Sequence, residues 1–116
     1  MSSEHITPEV AKEAWKTVVK IYDESMASGE NPEKTMDKII DALGRDKAVE
    51  VFAVISKIKK HDGRIYGENR KWMDSIDVDQ ECVLWERSNP MLSAGLDAIH
   101  TTHIDQLITE LRKRCA

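Results

Sequence analysis

Twice in succession the chain writes the same helix punctuation, and this constrains the fold more than any other feature. Thr7 precedes Pro8, an apolar periodic run follows, and Gly29 closes it; Asn31 then precedes Pro32, a second run follows, and Gly44 closes that. Thr and Asn accept hydrogen bonds from the orphan amides of a first helical turn. Proline suits the first helical position, and glycine tolerates the left-handed conformation that ends a helix. The first run carries Val10, Ala14, Val18 and Ile21 on one stripe and Ala11, Trp15, Val18, Tyr22 and Met26 on the next, a wide apolar face. The second places Met36, Ile39, Ile40 and Leu43 together at helical spacing. Only Gly29, Glu30 and Asn31 separate the runs, so an antiparallel helix hairpin is predicted.

The third segment, from Asp46 to His61, is ambiguous by propensity. Val49 to Ile55 is rich in β-branched residues and fits a buried strand. Ala48, Val51, Phe52, Ile55 and Ile58 keep helical spacing, and a lone strand would find no partner in this chain. The segment therefore reads as a helix apolar around most of its circumference, which means a central one, ended by Asp62-Gly63. Beyond it, residues 68–75 read as a short helix with Trp72, Met73 and Ile76 inward. Asp77 or Asp79 is placed to cap another short helix reaching about Arg87, and Ser88-Asn89-Pro90 is a break. A last helix begins near Thr102 and Asp105 in a capping-box-like start, and Ile104, Leu107, Ile108, Leu111 and Cys115 share its apolar face. The expectation is a single all-α domain over residues 1–116, a small helical bundle made of a hairpin, a buried third helix and a C-terminal helix, with short connecting helices.

Several function classes are disfavoured. No apolar run approaches the about 18 residues that span a bilayer, and Met1 to Ile6 is too short and polar for a signal peptide, so a cytoplasmic protein without membrane contact is expected. Cys82 and Cys115 are too few for a disulfide framework. Glycine-rich phosphate loops, serine elbows and His-Glu-x-x-His are absent, and neither cysteine forms a recognisable set with a base, so no catalytic residues and no cofactor are expected. His100 and His103 lie three apart near Asp97 and Asp105, an incomplete zinc pattern that leaves a zinc-binding module as one alternative. Asp77, Asp79 and Glu81 alternate like a calcium loop, but Cys82 and Ser88 occupy the positions of its glycine and bidentate glutamate.

Charge carries the functional expectation. The net charge of −4 is unevenly distributed. Lys57, Lys59, Lys60, Arg64, Arg70 and Lys71 outnumber Asp62 and Glu68, while between residues 72 and 111 Asp74, Asp77, Asp79, Glu81, Glu86, Asp97, Asp105 and Glu110 face only Arg87. A basic corner beside an acidic surface is a dipolar field that steers partners. The favoured reading is binding to a protein partner through Asp74, Asp77, Asp79, Glu81 and Glu86, with Trp85 as an anchor; Trp15 and Trp72 read as core. The alternative is nucleic-acid binding by the basic residues, with Tyr66 stacking on a base. A homodimer through the wide face of the first helix, involving Val19 or Met26, is compatible with the pattern.

Asp62-Gly63-Arg64-Ile65, then Asn69 and Trp72, then Ile99-His100-x-x-His103-Ile104-Asp105-Gln106 resemble a pattern in small uncharacterised helical domains encoded by conjugative and prophage-like elements of Gram-positive bacteria. The resemblance covers about residues 57–111 and leaves out the first helix pair. It implies an accessory protein of a mobile element. Its setting suggests a small binder acting on host machinery, for example an inhibitor of a nuclease defence system.

Overall fold

The structure, a computed structural model, describes residues 6–58, 65, 67–82, 84, 99 and 101–115. Both punctuated helices form as the sequence demands. In α1 (Pro8–Ser28) the Thr7 hydroxyl accepts from the Val10 amide at 3.2 Å, and Gly29, at φ 72°, turns its amide back to Met26 O. In α2 (Pro32–Leu43) Asn31 Oδ1 accepts from the Lys34 amide at 3.0 Å, and the Gly44 amide closes onto Ile40 O at 2.7 Å. The three-residue turn lays α2 against α1, which buries Ala11, Ala14, Trp15, Val18 and Tyr22; Val10 and Met26, expected on the same apolar face, lie at its edges and are exposed.

The β-branched segment is helical. In α3 (Arg45–Ile58) every residue from 51 to 56 is buried, and α3 packs against each of the other four long helices. A helix bonds its own backbone, so it can sit at the centre without a partner strand. Among the described residues there is no strand at all. Ser56, the one hydroxyl in the buried run, donates to Ala53 O at 2.9 Å and so satisfies itself within the helix. Trp15 and Phe52 meet edge to face with ring centroids 5.6 Å apart, tying α1 to the central helix.

The remaining elements close the bundle on the other side. α4 (Gly67–Ser75) buries Asn69 and Met73, and α5 (Thr101–Cys115) packs on α2, α3 and α4 through Ile104, Leu107, Ile108 and Leu111. Two expectations about α5 are corrected. Helical structure is already present at Thr101, so Thr102 lies inside the helix rather than capping it. Cys115 is exposed, because the apolar stripe leaves the core after Leu111. The predicted stop at Asp62-Gly63 and the break at Ser88-Asn89-Pro90 lie outside the described residues. Val78, Cys82 and Ile99, buried between α4 and α5 in the sequence, join the same core as all five helices.

Candidate functional site

The acidic segment is shaped by two inward residues. Past the end of α4, Val78 and Cys82 are buried four residues apart, and residues 80–82 are helical. An exposed carboxylate precedes each inward residue, Asp77 before Val78 and Glu81 before Cys82, and Asp74 at the end of α4 is exposed too. Asp79 has a different task. Its Oδ1 accepts from the Glu81 amide at 2.9 Å and its carbonyl from the Cys82 amide at 3.0 Å, so it caps the turn. Leu84, two residues past Cys82 and therefore about half a turn away from it, is 54% exposed. It is a large apolar side chain beside exposed carboxylates, and it was missed by a reading that looked for an aromatic anchor. The signal was present in the inward pair Val78 and Cys82. Trp85 and Glu86 lie outside the described residues, as does Asp97.

Other acids of the same stretch serve the scaffold. Asp105 Oδ1 accepts from Asn69 Nδ2 at 3.1 Å. Glu110 pairs with Arg114 at 3.0 Å and with Lys113 at 3.2 Å, and the Arg114 hydrogen bond holds its carboxyl below the usual range. Among the described acids of this stretch, those open to a partner thus lie within residues 74–81.

Beneath this surface the chain preceding α1 is anchored. The Ile6 amide donates to Glu50 Oε2 at 3.2 Å, and the Cys82 thiol donates to the Ile6 carbonyl at 3.3 Å. Burial, then the carboxylates of Asp79, Glu50 and Glu81, push the Cys82 thiol up to about 11. A thiol that stays protonated in a packed site is a hydrogen-bond donor and a poor nucleophile.

The basic corner is partly spent on the scaffold. Lys57 Nζ donates to the Asp74 carbonyl at 3.3 Å, Arg70 Nε donates to the Ile65 carbonyl at 2.9 Å, and Lys71 pairs with Glu68 at 3.5 Å. Lys59, Lys60, Arg64 and Tyr66 lie outside the described residues. The two charge blocks therefore meet, at Lys57 and Asp74.

His103 shares a hydrogen bond through Nδ1 with the Tyr22 hydroxyl, joining α5 to α1 across 81 positions of sequence. His100 lies outside the described residues, and among those described no three His, Cys, Asp or Glu side chains group as metal ligands. Tyr22 and His103 wall a small pocket at the end of the hairpin. Trp15 is buried and Trp72 half-buried against the core, as expected. Among the described residues, no helix is long and apolar enough to cross a membrane. Compared with protein-family models, curated proteins and solved structures, the chain matches none.

Proposed function

We propose that this chain is a non-catalytic binding protein that docks through residues 74–84 onto a basic surface of a partner protein. The observation that carries the reading is the exposure of Leu84 three residues after the exposed Glu81, in the same segment as the exposed Asp74. An apolar centre gains free energy when a partner covers it, about 1.5–3 kcal/mol for a fully buried leucine. Surrounding carboxylates choose a cationic partner and speed the encounter. The resemblance to mobile-element domains fits an accessory role on host machinery, such as inhibition of a nuclease defence system. A surface that ordinarily holds nucleic acid has the required positive charge.

Capture of partners from nuclease-treated host lysate tests this. Asp74→Lys with Glu81→Lys, and separately Leu84→Asp, are compared with a control carrying Glu13→Lys on α1 and Asp41→Lys on α2, both exposed. Asp77 and Asp79 stay unchanged because both make interactions within the fold. The expected result is a partner kept by the control and lost by both test variants. The same partner bound with unchanged affinity by the Asp74/Glu81 variant rejects the surface. Capture that vanishes on nuclease treatment transfers the function to the basic residues between 57 and 71.

A further inference from the structure

Where α1 ends and α2 begins, the hairpin meets the first turns of α5 around a pocket of about 140 Å³. Tyr22, Met26, Glu30, Pro32, His103 and Leu107 are among its walls. The volume is close to that of a cavity able to hold benzene, roughly 150 Å³. It suits one side chain and is too small for a nucleotide or a larger cofactor.

Three features of the pocket favour a cation. Tyr22 and His103 present two rings whose centroids are 5.5 Å apart and tilted by 54°, held by their shared hydrogen bond, and aromatic faces attract cations. The C-terminal end of α1, closed by the Gly29 and Glu30 amides, holds no basic residue in its last turn, and exposed Asp23 adds negative charge one turn before Met26. Glu30 is the third. Its Oε1 accepts from Lys38 at 2.6 Å, and the Ser25 hydroxyl and Lys34 also favour its charged form, yet a carboxylate offers about four acceptor positions and these neighbours do not fill them all. Met26, 49% exposed at the rim, supplies with Pro32 and Leu107 the apolar contact that a methylene stem needs.

We infer that this pocket receives one long cationic side chain, arginine or lysine, of the partner protein, with the stem against Met26 and Leu107 and the charged head toward Glu30 and the Tyr22–His103 rings. The inference rests on the reading that the partner surface is basic, and it adds a second contact to residues 74–84.

The test uses the full chain and no partner. N-acetyl-arginine amide is titrated into protein carrying ¹³C-methyl methionine, with Met26 as reporter and the fully buried Met36 as internal reference. N-acetyl-norleucine amide and N-acetyl-glutamate amide are the comparison probes. A saturable millimolar shift of Met26 with the arginine probe alone is expected. Glu30→Gln weakens it about tenfold without loss of helical circular dichroism. Norleucine binding as tightly as arginine, or no saturable shift with arginine, overturns the inference. Such a failure leaves the Leu84 surface standing, because the probe experiment involves no partner. Unchanged capture by the Asp74/Glu81 variant, with the arginine probe still bound, removes that surface and keeps the pocket.

Discussion

Asn69 on α4 and Asp105 on α5 are joined twice: Asn69 Nδ2 donates to the Asp105 carbonyl at 3.2 Å and to its Oδ1 at 3.1 Å. The same nitrogen reaches Thr109 Oγ1 at 2.8 Å, and that hydroxyl donates to the Asp105 carbonyl at 3.0 Å. Asn69 is only 5% exposed, so this is a buried polar weld between two helices. Asn69→Ala strands its partners and costs about 1–3 kcal/mol, readable as a lower denaturation midpoint with unchanged slope. Asn69→Asp costs more near neutral pH, since it sets a second carboxylate against Asp105. Part of that loss returns as acid protonates the new group and restores a donor. A Tm for Asn69→Asp equal to that of the wild type at neutral pH would show that the weld contributes nothing.

Asn69 and Asp105 also mark where sequence reasoning stops. The cap, proline and glycine signals of α1 and α2 act within one turn, so their boundaries were legible. The central place of α3 was legible too, because an apolar circumference has one physical solution. Pairings such as Asn69 with Asp105, or Tyr22 with His103, depend on how helices are set against each other, and no periodicity reports that. Counting charges overstated the acidic surface for the same reason: Asp105 and Glu110 count as negative but are engaged by Asn69 and by Arg114. Leu84 was hidden by the habit of seeking a tryptophan, although the inward pair Val78 and Cys82 already aimed it at solvent.

Arg114 fastens the end of α5 to α2. It donates to Asp37 Oδ1 at 2.9 Å and to the Glu33 carbonyl at 3.2 Å, while its other branch meets Glu110 Oε1 at 3.0 Å. A planar fork makes these bonds together and an ammonium does not, so Arg114→Lys loses most of what Arg114→Met loses, about 1–3 kcal/mol. Glu110 adds a pH signature. Its folded pKa lies below the ordinary carboxylate value, so its contribution is complete above that value and fades as pH falls through the depressed one. Thermal melts below about pH 4.3 therefore lose stability in the wild type, and Glu110→Gln shows a shallower acid decline. Identical acid slopes would remove Glu110 from the linkage.

Cys82 gives the opposite sign at the alkaline end. The folded thiol holds its proton to about 11, whereas an unfolded cysteine ionises near 8.5. The raised value means that its contribution is complete below the unfolded pKa and is lost as pH rises toward the folded one. Stability should fall across that alkaline window, and Cys82→Ala should flatten the fall. Alkylation separates the two cysteines in the same way. Exposed Cys115 reacts with iodoacetamide under native conditions, and Cys82 reacts only when denaturant opens the core. Equal native rates would mean that the bond from Cys82 to Ile6 does not hold the chain in place.

Lys57 decides between the two charge-based functions. Its ammonium lies on the Asp74 carbonyl, at the join between basic and acidic blocks, and offsets part of the negative field of residues 74–81. If the partner is basic, Lys57→Gln strengthens that field and raises the association rate, while Asp74→Lys lowers it. Both effects shrink as salt shortens the screening length from about 10 Å at 0.1 M to about 3 Å at 1 M. If the ligand is a nucleic acid, Lys57→Gln removes a cation and weakens binding, and the salt slope falls by about one phosphate contact. Association rates of the two variants with the captured partner, measured at low and high salt, therefore carry opposite signs under the two readings. Faster association of Lys57→Gln supports the acidic surface, and slower association moves the function to the basic corner.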